Sequence, residues 1–299
     1  MSPRRPVIGL ALGSGGARGW CHVGVIRALE ELGIRPDVVA GTSMGALVGA
    51  AYVGGGLDAL ERWGRALTRR GFMALVDVRL ASGGLVEGRE IIRLIEALDL
   101  PRDIPDLARP FIAVASDLGN GQEIWLRTGA VADAVRASVA MPGIISPWFH
   151  QGRWLLDGGV TNPVPVSACR AMGAEVIIAV NPNARPDGHF WPDAATEAGS
   201  GLGAMREWLP EPLSELLSSV GRDRQPRPSY VDVISGAIDI MTEQIRRARM
   251  AGEPPRVLLN ADLGHMTVLD FHLAAAAIAD GRRAVSEQAG HLTRICGVA

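Results

Sequence analysis

Short, nearly continuous apolar runs punctuate the chain at Val7–Leu12, Val38–Ala40, Pro110–Ala115 and Glu175–Val180. Runs of this length without polar alternation predict strands buried on both faces, as in a sheet covered by helices on either side. Glu123–Arg127 alternates as a half-exposed strand does, and Trp154–Leu156 is a further strand that runs into Asp157-Gly158-Gly159. Elsewhere the apolar period becomes helical: from Val23 to a terminal Gly33, over the small-residue run Ala46–Ala51, over 56–70 and 89–98, over Val131–Val139 with Pro142 as the stop, and from Asn162 to Gly173. This alternation of strands and helices predicts an α/β fold, a three-layer α/β/α sandwich with a mainly parallel central sheet.

Residues 182–228 interrupt that rhythm with seven prolines and an exposed-looking Phe190-Trp191 pair. They predict a mobile lid or insertion at 183–230 around one short helix, in which Met205, Trp208, Leu209, Leu213, Leu216, Leu217 and Val220 share a face. That face packs on the domain, covers an acyl site, forms a homodimer contact or meets lipid. Glu207, Glu211 and Glu215 oppose simple electrostatic attraction to anionic lipid. A helix from Val233 to Gly252 with Ile234, Ile238, Met241, Ile245 and Ala248 in one stripe, a strand at Arg256–Leu259 and a final helix at Leu269–Gln288 complete a single domain over 1–299.

Composition narrows the chemistry. The net charge of -2 and the absence of charge runs exclude an electrostatic nucleic-acid binder. Every basic residue other than histidine is arginine, so Schiff-base and P-loop lysine chemistry are excluded. Cys21, Cys169 and Cys296 are odd in number and widely spaced, which fits packing residues in a reducing compartment rather than a disulfide framework or a zinc site. The N-terminus only faintly imitates a signal peptide, and no apolar run approaches the roughly 20 residues that cross a bilayer, so a cytoplasmic location is expected.

The stretch Gly41-Thr42-Ser43-Met44-Gly45 lies between a strand and a helix, the context of a nucleophile elbow with Ser43 at its apex. A second glycine-rich loop, Gly13-Ser14-Gly15-Gly16-Ala17-Arg18-Gly19, joins the first strand to the first helix. It does not fit a dinucleotide fingerprint, because the sixth position from Gly13 is Arg18 and Asp37 precedes the second strand. As an oxyanion hole it needs a serine nucleophile on a neighbouring strand, and the next strand ends at Ser43. Asp157, delivered into a tight glycine turn, is the prime candidate for the base. Asp117, also at a strand end, reads as the residue that orders the loop through Gly121. Of the histidines downstream of Asp157, His265 alone is plausibly placed for a triad, while His22 and His150 read as packing or surface residues. A direct Ser43/Asp157 dyad is the simpler arrangement, its reactivity depending on desolvation of the carboxylate.

Taken in order, Ser14–Gly19, Gly41–Gly45 and Asp157–Gly159 resemble the three motifs of the patatin-like phospholipases, and Ala137-Ser138 to Pro142 resembles a further block of that family. The likeness covers residues 6–182 well and 233–285 more loosely. It implies a serine acyl hydrolase that cleaves fatty-acyl esters of phospholipids, lysophospholipids or related lipids through a Ser43/Asp157 dyad without histidine. It implies an oxyanion hole at Gly15, Gly16 and Ala17, with Arg18, Gly41, Gly45 and Gly158 in support. No metal or cofactor is implied; the expected partner is a lipid or acyl-ester substrate, with room for peripheral membrane contact. Ser14 stands where the pattern has its first glycine, which strains the loop only if that position takes positive φ. An acyltransferase using the same serine, and a non-catalytic interaction protein on this fold, are the rival readings.

Overall fold

The computed structural model describes residues 4–74, 87–185 and 230–298. The chain runs β1 (Ile8–Leu12), α1 (Cys21–Glu31), β2 (Val38–Thr42), α2 (Met44–Val53), α3 (Leu57–Ala66), α4 (Arg69–Ala74), α5 (Arg89–Ala97), β3 (Phe111–Asp117), β4 (Glu123–Leu126), α6 (Val131–Ser138), β5 (Trp148–His150), β6 (Arg153–Asp157), α7 (Val166–Ala171) and β7 (Val176–Asn181). After 186–229 come α8 (Tyr230–Gly252), β8 (Val257–Asn260), α9 (Ala274–Ser286) and α10 (Ala289–Cys296). The expected lid at 183–230, its helix and the Phe190-Trp191 pair fall almost wholly outside the described residues.

The sheet has the order β5-β6-β3-β2-β1-β7-β8, with β4 also paired to β3. Strands β3, β2, β1, β7 and β8 run parallel, and β4, β5 and β6 join antiparallel. The sheet is therefore parallel through its centre and mixed at one side. Strand β5 was not legible from periodicity. It is three residues long and is set by a tight turn in which Gln151 and Gly152 both take positive φ.

Each central strand is buried on both faces, as its unbroken apolar run predicts. Leu10 and Leu12 point into the larger core, shared with α1, α2, α6 and α9, while Ala11 points into a smaller core formed with α7 and Met250 of α8. The expected helix over 56–70 is divided between α3 and α4, where the Thr68 hydroxyl accepts the Gly71 amide and starts a new helix. The expected final helix starts at Ala274 after a 3-10 turn at Phe271–Leu273, and α10 follows it. No helix among the described residues is long and apolar enough to cross a membrane.

Helices α1 and α9 cross backbone against backbone. A Cβ on Gly24 would lie 1.9 Å from the Ile278 carbonyl oxygen, and one on Gly281 would lie 2.0 Å from that of Cys21. Neither obstacle is a flexible side chain, so the helices themselves must part. Gly24→Ala and Gly281→Ala should each destabilise the fold by about 3 kcal/mol, measured by denaturant unfolding. Wild-type stability in either variant would contradict this account of the crossing.

Candidate active site

Strand β2 is wholly buried and ends at Thr42, and Ser43 turns the chain into α2 with φ 57 and ψ -125. A non-glycine residue there is strained and is held only because its surroundings over-determine it. The flanking glycines show how. A Cβ on Gly41 would meet the Gly45 carbonyl oxygen at 2.3 Å, and one on Gly45 would meet that of Leu12 at 2.2 Å. Ser43 is thus presented at the positive end of α2, whose first bonds run from Ala46 and Leu47 back to the Ser43 carbonyl.

Asp157 arrives from the antiparallel side of the sheet. Thr42 registers with Val114 and Asp157 with Ala115, so the ends of β2 and β6 meet β3 at successive residues. Gly158 makes the close approach possible: a Cβ there would lie 2.2 Å from the Val114 carbonyl oxygen and 3.0 Å from the Thr42 methyl group. The Ser116 hydroxyl fixes the turn by donating to the Asp157 carbonyl at 2.9 Å.

Asp157 is 5% exposed. Its Oδ1 accepts the Gly159 amide at 2.7 Å, whereas its buried Oδ2 has no partner in hydrogen-bond geometry. Burial raises its pKa to about 6, against the opposing pull of the Ser43 hydroxyl and the Gly159 amide. The serine therefore lies near enough to favour the ionised carboxylate without completing a well-aligned bond. Such bonds commonly tighten only when substrate is bound.

The glycine-rich loop spends most of its amides on the protein. Gly13 donates to Val180 O, Ser14 to Pro163 O, Ala17 to Val268 O and Arg18 to Gly15 O. From Gly13 to Arg18, the amides of Gly15 and Gly16 are the two that none of these bonds uses. Of the expected oxyanion trio, Ala17 has its N–H directed by the 3-10 turn at Gly16–Trp20 to Val268 O at 2.9 Å. Gly16 takes φ 52, and a Cβ there would lie 2.4 Å from the Val268 carbonyl oxygen. Ser14 lies outside the positive-φ region and so carries no strain in place of a glycine.

Arg18 is buried beneath this loop and donates to Met266 O at 2.9 Å and to Asn183 Oδ1 at 2.9 Å. It also pairs with Asp239 on α8 at 3.3 Å. Burial lowers its pKa and Asp239 opposes the shift. Asn183 completes a ring by donating to Ser14 O at 2.8 Å. No local pattern marked Asn183, which belongs to the site only because β7 ends beside the loop.

Among the described residues neither Ser43 nor Asp157 is hydrogen-bonded to a histidine. His265 sits on an exposed turn. His22 is buried with Nε2 2.7 Å from Gly13 O, and burial pushes its pKa down to about 4, so it is neutral and donates to that carbonyl. Asp117 accepts the Gly119 amide and pairs with Arg153, ordering the loop as its sequence context indicated. Among the described residues no group of three or more His, Cys, Asp or Glu is placed to hold a metal ion.

The family model described as "Patatin-like phospholipase" matches residues 10–170. An uncharacterized NTE family protein of Mycobacterium tuberculosis is 32% identical over 93% of this chain and 89% of its own length. A protein named lysophospholipase NTE1, from Coccidioides immitis, is 34% identical over 88% of this chain, which spans 16% of that protein. Among solved structures, VipD from Legionella pneumophila aligns over 97% of this chain and 77% of its own, with 12% identity and a TM-score of 0.39.

A carboxyl whose pKa rises from 3.8 to about 6 on folding binds its proton more tightly in the folded state. Its ionisation then costs stability as pH climbs through that window. At pH 7.5 the cost is about 3 kcal/mol. Asp157→Asn should therefore be more stable than wild type at pH 7.5 by up to that amount, with the advantage vanishing near pH 4. Urea unfolding at both pH values checks this, and an advantage independent of pH would count against a buried ionised carboxylate.

Proposed function

The chain belongs to the patatin-like phospholipase family, and from that premise we propose that this lipid-ester hydrolase works through Ser43 as nucleophile and Asp157 as its base. The observation that carries this reading is the pairing itself. A strained, buried serine is held at a helix N-terminus beside a carboxylate with one oxygen unpartnered and a pKa of about 6. A structural carboxylate would be expected to have its hydrogen bonds satisfied. One kept short of a partner, and ionised at neutral pH despite burial, is suited to taking a proton.

In the proposed sequence Asp157 accepts the Ser43 proton as Oγ attacks the acyl carbonyl carbon. The electron pair displaced onto the carbonyl oxygen is held by the Gly15 and Gly16 amides, with the α2 N-terminus adding its positive field. Collapse of the intermediate breaks the ester bond, and the departing alcohol takes the proton from Asp157. Water then gives a proton to Asp157 and attacks the acyl-serine. The second intermediate releases a fatty acid, and Ser43 recovers its proton. The substrate class this reading favours is the fatty-acyl ester of a phospholipid or lysophospholipid, supported by the family description and by the name of the Coccidioides relative.

Exposure to a fluorophosphonate followed by intact-mass analysis should give one adduct on wild type and none on Ser43→Ala. An adduct that persists in Ser43→Ala would place the reactive group elsewhere. Asp157→Asn should lower turnover of a lysophospholipid by about 10²- to 10⁴-fold. With wild type, kcat/KM should rise with pH through an inflection near 6 and level off above it, because the base must be ionised. A profile flat between pH 5 and 8 would remove Asp157 from that role.

A further inference from the structure

The parallel ladder between β2 and β3 begins with the Val39 amide donating to Pro110 O. Advanced by its own step of two residues, it would bring the Ser43 amide to Val114 O, in keeping with the register Thr42↔Val114. That bond is not made. The Ser138 hydroxyl stands in its place, accepting the Ser43 amide at 2.8 Å and donating to Val114 O at 2.6 Å. Ser138 is the last residue of α6 and is fully buried. Its side chain holds the two strands apart at the one residue where the chain leaves the sheet to form the elbow.

We propose that Ser138 is a positioning residue for the Ser43 nucleophile, a role that rests on the dyad proposed above. A hydroxyl is the smallest group that can accept from one backbone partner and donate to another. Without it the Ser43 N–H and Val114 C=O, both buried, are left unpaired or close upon each other. The second course draws the elbow toward β3, where Gly158 already packs on the Val114 carbonyl oxygen. Either course changes the approach of the Ser43 hydroxyl to Asp157, while the parts that contact the rest of a substrate stay as they were.

The test uses the full chain and a fluorophosphonate, with the inactivation rate at saturation (kinact) separated from the half-saturating concentration (KI). Wild type must first show saturable labelling of Ser43; its failure to label would overturn the dyad reading and this proposal together. Given a labelling wild type, Ser138→Ala should lower kinact by about 10- to 100-fold, the penalty of a displaced reacting group, with KI within about twofold. Ser138→Thr and Ser138→Cys each retain a donor and an acceptor, and whichever keeps the wild-type unfolding midpoint should recover kinact. Wild-type kinact in folded Ser138→Ala would overturn the proposal, as would folded Thr and Cys variants that both stay as slow as Ser138→Ala. A fall in stability alone, with kinact per folded molecule unchanged, would assign Ser138 to the scaffold and also overturn it.

Discussion

A carboxylate withdrawn from water with one oxygen unpartnered is among the costlier groups a domain can carry, and Asp157 is such a group. Its surroundings are organised to keep it there. The antiparallel pairing of β6 to β3 fixes its backbone, the Ser116 hydroxyl anchors its carbonyl, and the Gly159 amide holds one carboxylate oxygen. The free energy to sustain that arrangement comes from elsewhere in the fold, chiefly from the large core that the central strands share with α1, α2, α6 and α9. The mixed side of the sheet is thus the means by which an acid from the middle of the chain reaches a serine from near its start.

The carbonyl of Val114 ties the two halves together. It receives the Ser138 hydroxyl on behalf of the elbow and is covered by Gly158 on behalf of the acid. Serine and aspartate therefore owe their relative placement to one peptide group of β3 as much as to their own turns. The nearest neighbours of Gly41, Gly45 and Gly158 are correspondingly backbone atoms: main chain, which cannot rotate away, fixes the distances.

The elbow and the acid were legible in the sequence because each is written locally. Gly41 and Gly45 bracket Ser43, Asp157 precedes two glycines, and apolar runs mark the strands that deliver them. What could not be read was set by partners far along the chain. The Ala17 amide is engaged by Val268, Asn183 enters through the end of β7, and Ser138 bridges two strands that its own helix only touches. Strand β5 and the break between α3 and α4 were missed for a related reason. A three-residue strand and a single capping hydroxyl leave almost no trace in a periodicity that needs several turns to show.

Arg18 draws to one point the chain that enters and leaves 186–229. Asn183 and Arg185 lie on the entering side and Asp239 on the leaving side, with Arg185 and Asp239 themselves 3.6 Å apart. Described residues on either side of 186–229 are therefore tied to each other by an ionic knot around Arg18. Closing a flexible connection between two fixed points costs only about 0.6 kcal/mol more for each doubling of its length. With the two anchor points held by Arg18, the site below depends on where those points stand and not on the length of chain that joins them.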